Sequence, residues 1–280
     1  MQQEHTTMEK DDMNIKTNAL VALIIMCIAG LQQAFAYDVA VIDTARVSVY
    51  YRYEFQKDTI SHLKKQDALV LQIGKNHTAF FSQFTFEKMT KNSNTSFKGA
   101  ILTEKPHATV VGYFLYNTIR EKKIEHIESV SYRYWRYTED QPKFDWTIYA
   151  DTLEVAGYLC QKAECDYGGR HWIAWFTSEI PLSYGPYKFR GLPGMILKIE
   201  DTSKHYCFEA AYLDQEQTPI VKIKVKTEEV SKRYMFREKH KFQTNSTKYS
   251  DMVWGVDNSQ HYGKDYQLDL LERDVENSKE

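Results

Sequence analysis

The strongest constraint on the fold is a recurring alternation of apolar and polar side chains with a period of two. Arg46 to Phe55 reads RVSVYYRYEF, with an apolar or aromatic side chain at every second position. This alternation is typical of a half-buried β-strand, and no long window of helical periodicity separates the strand-like segments. Aromatic residues, which fit pleated sheets, make up 14% of the chain. The sequence therefore predicts a mainly β, antiparallel protein, arranged as a strongly curled sheet or a two-layer sandwich.

Three shorter patterns add detail to this fold. Residues 152–160 are predicted to form one strand, with Gly157 as a candidate bulge. Residues 221–226 alternate valine and isoleucine with lysine, which is typical of a solvated edge strand. Residues 228–239 have the spacing of a short amphipathic helix near the end of the domain.

The first 36 residues have the features of a secretory signal peptide. Lys16 precedes an uncharged run of 13 residues, Ala19 to Leu31, and the small-residue site Ala34-Phe35-Ala36 follows it. Thirteen apolar residues are too few to span a bilayer, which takes about 20. We therefore expect cleavage after Ala36, with Met13 as an alternative start, and no transmembrane anchor in the mature chain.

The rest of the chain is predicted to contain one folded unit. Residues 37–240 show no break in composition and no internal repeat, which indicates a single β-rich domain. Residues 241–280 are predicted to form a polar C-terminal tail. The formal net charge is −2 and no basic stripe is present, which argues against nucleic acid as a partner.

Three cysteines remain after removal of the signal: Cys160, Cys165 and Cys207. An exported chain permits disulfides, so one bridge is possible among the three, with its pairing open and at least one thiol left unpaired. A zinc site that includes His171 is an alternative, but the C-x4-C spacing lacks the paired motif of such sites. No known catalytic motif occurs in the chain. We therefore assign no metal, no cofactor and no catalytic residue.

The densest group of candidate binding residues lies between residues 171 and 194. His171 to Phe176 is apolar on both faces, which is typical of a strand that protein covers or that binds a ligand. Leu192-Pro193-Gly194-Met195 fits a type II turn, in which Gly194 supplies a positive φ. This turn predicts a rigid loop, and such loops often carry binding residues. The candidate ligand or partner contacts are Trp172, Trp175, Tyr184, Tyr187, Lys188 and Arg190.

The same region resembles a known family. The hexapeptide Gly191-Leu192-Pro193-Gly194-Met195-Ile196 is similar to the one that names the GLPGLI family of exported Bacteroidetes proteins, with Met195 as a volume-conserving change from leucine. Further matching motifs follow in the family's order, at residues 71–74 with 80–82, 157–163, 169–181 and 185–189. The resemblance implies a mainly β domain and its export across the inner membrane of a Gram-negative bacterium. It implies no activity, because the family is functionally uncharacterised.

Together these features predict an exported protein of the periplasm or cell envelope, with secretion from the cell as an alternative. Its predicted function is non-catalytic binding through an aromatic-lined face and the loop of residues 183–194. The candidate partners are a small molecule, a lipid, a glycan or an envelope protein. Two alternatives stay open: a hydrolase or thiol-dependent enzyme around Cys160, Cys165 and His171, and a small outer-membrane barrel.

Overall fold

The computed structural model describes residues 38–56, 64–90, 111–130, 133–245 and residue 272. The predicted signal peptide and most of the predicted tail lie outside these residues. The strands are β1 (Asp38–Ala45), β2 (Val47–Gln56), β3 (Lys64–Ile73), β4 (His77–Ser82), β5 (Tyr113–Thr118), β6 (Lys123–Val130), β7 (Arg133–Asp140), β8 (Thr147–Val155), β9 (Tyr158–Tyr167), β10 (Arg170–Thr177), β11 (Met195–Asp201), β12 (Tyr206–Asp214), β13 (Thr218–Lys224) and β14 (Thr227–Glu229). The helices are α1 (Gln83–Thr90) and α2 (Lys232–Thr244). Neither of these two helices is long and apolar enough to cross a membrane.

Twelve strands form one sheet, in the order β14-β7-β6-β5-β4-β3-β2-β12-β11-β10-β9-β8. Neighbouring strands are antiparallel except β14 and β7, which run parallel. The prediction of a mainly β protein is confirmed, although the single parallel pair makes the sheet mixed. Within the described strands the sheet is not closed, because β14 and β8 each have one partner strand, and we find no strong curl in it.

A separate two-stranded sheet of β1 and β13 packs on one face of the large sheet. Val221 and Ile223 of β13 are buried there in a cluster with Phe81 of β4. Lys224 is exposed and forms an ion pair with Asp38 of β1 at 2.8 Å. The alternation in this lysine-containing segment thus separates a buried face from a solvated one, as predicted, and β1 supplies the pairing strand.

The larger core lies on the opposite face of the twelve-stranded sheet. Tyr51, Trp172 and Phe208 are each fully buried within it. The Tyr51 hydroxyl donates a hydrogen bond of 2.7 Å to the carbonyl oxygen of Ile196, which ties β2 to β11 across the core. Aromatic side chains bury large areas, so much of the aromatic excess of the sequence serves this core.

The segment of residues 152–160 is a hairpin and not a single strand. β8 ends at Val155 and β9 begins at Tyr158, opposite it in register. Ala156 and Gly157 have φ values of 51° and 80°. A two-residue hairpin turn with positive φ at both positions matches the twist of the flanking strands. Gly157 therefore lies in a turn, and the predicted bulge at this position is wrong.

Helix α2 begins later than its periodicity predicts. Ser231 is its N-cap and accepts a hydrogen bond of 3.1 Å from the backbone N–H of Tyr234. The preceding residues, Thr227–Glu229, form β14 because they pair with β7. At its other end the helix continues to Thr244, across the predicted boundary at residue 240. Pairing with a distant strand has replaced the first helical turn.

Candidate functional site

The segment that connects β10 to β11 forms one wall of the candidate site. Its backbone is folded on itself, because Tyr184 and Arg190 pair as an isolated antiparallel bridge. The N–H of Met195 donates to the carbonyl oxygen of Ile180 at 3.1 Å, and the N–H of Ile196 donates to Tyr184 at 2.9 Å. These bonds fix both ends of the segment, so the loop is held by its own backbone and by the start of β11.

The turn in this loop differs from the predicted one. Gly191 has a φ of 98°, whereas Gly194 is not among the residues with positive φ. A type II turn needs positive φ at its third position, so the predicted type II turn is wrong. A Cβ atom on Gly194 would lie 2.0 Å from the carbonyl oxygen of Thr177. Glycine is required there because two backbone segments approach each other closely.

Three of the six predicted contact residues are buried. Trp172 is 0% exposed, Lys188 3% and Tyr187 7%. The Trp172 ring packs edge-on against Phe189 with centroids 4.8 Å apart, and its indole N–H donates to the carbonyl oxygen of Tyr167 at 2.9 Å. These three side chains are held inside the protein and are not surface contacts. The predicted aromatic-lined binding face is, at Trp172, part of the core.

The other three predicted contacts keep partial exposure, and the structure brings two of them together. The guanidinium group of Arg190 lies over the ring of Tyr184 at 5.2 Å from its centroid. Trp175 lies elsewhere, in β10, opposite Lys162 of β9 and Lys198 of β11. Arg190 is therefore the predicted residue that remains a candidate for ligand contact at the loop.

Arg190 lines an open cavity of about 500 Å³. The cavity lies between the loop and the segment that links β7 to β8, and its lining consists of Lys122, Asp140, Gln141, Pro142, Lys143, Phe144, Arg190 and Gly191. The carboxylate of Asp140 forms an ion pair with Lys123 at 2.7 Å. The three cationic residues of the lining are Lys122, Lys143 and Arg190, and none of them forms an ion pair with another described residue. The cavity thus presents an excess of positive charge.

The aromatic wall of this cavity is held rigidly. Phe144 stacks on Trp146, with centroids 5.7 Å apart and an angle of 26° between the ring planes. The indole N–H of Trp146 donates to the carbonyl oxygen of Arg190 at 2.8 Å. This bond fixes the backbone of Arg190 to the segment that carries Phe144. Sequence reasoning did not single out Phe144 or Lys143, because an irregular linker has no periodicity.

Lys188 belongs to a buried ionic cluster. Its ammonium group lies 2.5 Å from Glu139 Oε1 and 2.6 Å from Glu272 Oε1, and it donates to the Tyr137 hydroxyl at 3.1 Å. Lys232 of α2 lies 2.9 Å from Glu139 Oε2 and 2.6 Å from Glu272 Oε2. Two ammonium groups and two carboxylates therefore compensate one another, with Lys188 and Glu272 buried and Lys232 and Glu139 partly exposed.

Hydrogen bonds extend this cluster toward β6. Tyr137 and His126 share a hydrogen bond of 2.9 Å, and the other nitrogen of His126 lies 3.1 Å from Glu128. Burial lowers the pKa of His126. Burial raises the pKa of Glu128, but Lys239 at 2.7 Å and His126 outweigh this effect and hold it at about 2. Glu128 is thus a carboxylate at neutral pH, and the network joins β6, β7, the loop and α2.

The three cysteines are free thiols in the structure, and no disulfide joins any two of them. Cys160 and Cys165 lie five residues apart in one extended strand, a separation of roughly 16 Å, whereas a bridge needs Cα atoms within about 7 Å. Cys207 lies in β12, three strands away from β9. Burial raises the pKa of Cys160 to about 11 and that of Cys165 to about 12. The thiols therefore stay protonated at neutral pH.

His171 is not placed to activate Cys165. It pairs in register with Asp166, and its ring lies 2.8 Å from the Asp166 carboxylate. Cys165 pairs with the next residue, Trp172, and successive side chains point to opposite faces of a strand. His171 is exposed while Cys165 is buried. No group of metal-binding side chains occurs in the part of the chain that the structure describes.

A family model matches the centre of this region. Residues 167–198 match the family described as "Protein of unknown function (Porph_ging)". This stretch resembles a family without an assigned activity. It contains β10, the loop and the hexapeptide at residues 191–196, but it is a small part of the chain. No curated protein matches the chain.

Solved structures with a similar arrangement include two crystal forms of one protein. The first, "Structure of PNGF-II in P21 space group", has 12% sequence identity and a TM-score of 0.46, and the match covers 72% of this chain and 34% of that one. The second, "Structure of PNGF-II in C2 space group", has 13% identity and a TM-score of 0.44, with coverage of 76% and 33%. The present chain spans about a third of the length of those PNGF-II chains.

Proposed function

We propose that this protein is a non-catalytic binding protein that holds an anionic, ring-containing ligand, an acidic saccharide, in the cavity beside Arg190. One observation carries the proposal: three cationic side chains without an ion pair among the described residues line one open cavity with an aromatic wall. Surface cations are more often paired or scattered, and their convergence on a concave surface favours an anion as ligand.

The chemistry of the lining suits such a ligand. The planar guanidinium group of Arg190 can donate two parallel hydrogen bonds to a carboxylate or a sulfate. Lys122 and Lys143 add positive charge, and the ring of Phe144 offers an apolar surface for the C–H face of a sugar ring. A volume of about 500 Å³ lies within the range of small-molecule sites. Arg190 retains in this proposal the binding role that the sequence predicts for the loop.

We also propose that the chain is an exported member of the GLPGLI family. The support is the hexapeptide at residues 191–196, which lies inside the stretch that matches a family of unknown function, together with the signal-like features of residues 1–36. In a Gram-negative host we expect periplasmic protein whose first residue is Tyr37. Mass spectrometry of the N-terminal peptide measures this, and a chain that still begins at Met1 or Met13 in the periplasmic fraction contradicts it.

The cavity should bind an oligogalacturonate with a strong dependence on salt. Replacement of Arg190, Lys122 or Lys143 by Gln is expected to weaken binding about tenfold each, because each change removes a charged hydrogen-bond donor worth roughly 1.5 kcal/mol. Fluorescence titration is a suitable measurement, because the Trp146 indole is bonded to the backbone of Arg190. Calorimetry at two salt concentrations gives the electrostatic contribution.

Matched controls separate this site from general electrostatics. Lys224→Gln removes an exposed lysine of β13 that pairs with Asp38, and it should leave the affinity unchanged. A neutral maltotriose should bind at least a hundredfold more weakly than the oligogalacturonate. Equal affinity for the two saccharides, or the same loss in the control variant as in Arg190→Gln, contradicts the proposal.

A further inference from the structure

We propose that Lys188, Lys232 and Tyr187 form a carboxylate-binding site, that Glu272 fills it as a ligand from the same chain, and that another carboxylate can take its place. This site uses other residues than the cavity beside Arg190. Its ligand class is a carboxylate, such as the acidic side chain of a partner protein.

The first support is the number of donors that meet one carboxylate. Glu272 Oε1 accepts hydrogen bonds from the Tyr187 hydroxyl and from Lys188 Nζ, the latter at 2.6 Å. Glu272 Oε2 lies 2.6 Å from Lys232 Nζ. Glu272 is 1% exposed, so these three donors replace water around both oxygens. Donors from the loop and from α2 thus surround an oxygen pair, which is the shape of a carboxylate.

The second support is charge balance. Lys188 and Lys232 are compensated by Glu139 and Glu272 together. Without Glu272 the two ammonium groups face one carboxylate, and the side chain of Lys188 is 0% exposed. Two ammonium groups that share one carboxylate leave one positive charge uncompensated, and this is costly where one of the ammonium groups is buried. The rest of the domain therefore forms a site that requires one anion.

The third support is the backbone of Tyr187. This residue has a φ of 56°, in the left-handed region that is uncommon for a residue with a side chain. Such conformations cost free energy and persist where the surrounding structure holds them, often at ligand-binding positions. Here the conformation places a buried phenol against the carboxylate of Glu272.

The position of Glu272 in the chain makes it a tethered ligand. The three donors lie at residues 187–232, whereas Glu272 lies beyond the end of α2 at Thr244. A tethered ligand has an effective concentration of about a millimolar or more, which free ligands at lower concentration do not overcome. In the wild-type chain we therefore expect the site to be closed to dilute carboxylates.

The test uses the full-length Glu272→Ala variant with sodium acetate as the probe. The variant should melt several degrees below the wild type, and about 100 mM acetate should recover at least half of this loss, whereas sodium chloride at equal ionic strength should not. Lys188 should react with an amine-specific reagent in the variant and become protected when acetate is added, as measured by peptide mass spectrometry. In the wild type, acetate should change neither the melting temperature relative to chloride nor the reactivity of Lys188.

The Glu272→Gln variant is the matched control, because an amide fills the space that alanine leaves. Acetate should not stabilise it more than chloride does. Equal effects of acetate and chloride on Glu272→Ala, or a Lys188 that stays protected in that variant, overturn the proposal. If Glu272→Ala does not fold in buffer alone, the yield of refolded protein in acetate is compared with the yield in chloride, and this comparison decides the same question. Each result is independent of oligogalacturonate binding beside Arg190.

Discussion

Gly194→Ala is expected to lower the free energy of unfolding by about 3 kcal/mol and the melting temperature by roughly 6–12 °C. The added Cβ atom would lie 2.0 Å from the carbonyl oxygen of Thr177 and 2.6 Å from its carbonyl carbon. Both contacts are to backbone at the end of β10, so no flexible side chain can move away. Thermal and urea unfolding measure the loss.

Gly112→Ala is the matched control for this change. Nothing lies within 4 Å of a Cβ atom at Gly112, and its φ is not positive. The expected change is within about 0.5 kcal/mol. A Gly194→Ala protein as stable as the control would contradict the close approach of the two backbone segments. The control also corrects for the lower chain entropy that any glycine-to-alanine change brings to the unfolded state.

Lys188→Met is expected to destabilise the protein by about 4 kcal/mol. Methionine is of similar length, so the change removes mainly the ammonium group that lies within 2.6 Å of two carboxylates. Glu272 then keeps Lys232 and Tyr187 as its partners. Burial raises the pKa of Glu272, but the two lysines outweigh burial and hold it at about 2. Urea unfolding at neutral pH measures the loss.

Two comparisons show whether this cost comes from a buried charge. Lys64→Met removes the partner of Glu54, an ion pair with side chains 44% and 36% exposed, and should cost less than about 1 kcal/mol. The double variant Lys188→Met/Glu272→Gln removes both charges and should cost less than the sum of the single changes. Additive losses, or a loss from Lys188→Met no larger than from Lys64→Met, speak against the buried cluster.

Consecutive residues of the loop between β10 and β11 have different roles. Tyr187, Lys188 and Phe189 point into the protein, where they contact Glu272 and the aromatic core. Arg190 follows directly and lines the open cavity. The buried residues and the residue that we propose to bind the ligand are therefore adjacent in the chain. Stability and binding should therefore be measured together in every loop variant.

Much of the strand content was predictable because its cause is local. Strand β2 differs from its predicted bounds by one residue at each end, since alternation fixes which side chains enter the core. Two glycines were assigned the wrong geometry, since Gly157 was predicted in a bulge and Gly194 in a type II turn. Gly157 has a positive φ in a hairpin turn, whereas Gly194 is required by its neighbour Thr177. A distant backbone contact leaves no local pattern.

By itself the sequence determined the mainly β class of this protein and the position of the loop at residues 183–194, because the alternation of side chains and the placement of glycine and proline act over a few residues. Only the tertiary structure decided that Lys188 is buried against Glu272, that Cys160 and Cys165 cannot bridge, and that Arg190 faces a cavity with Phe144. These features depend on which strands become neighbours, and strand order is set by the packing of the whole core.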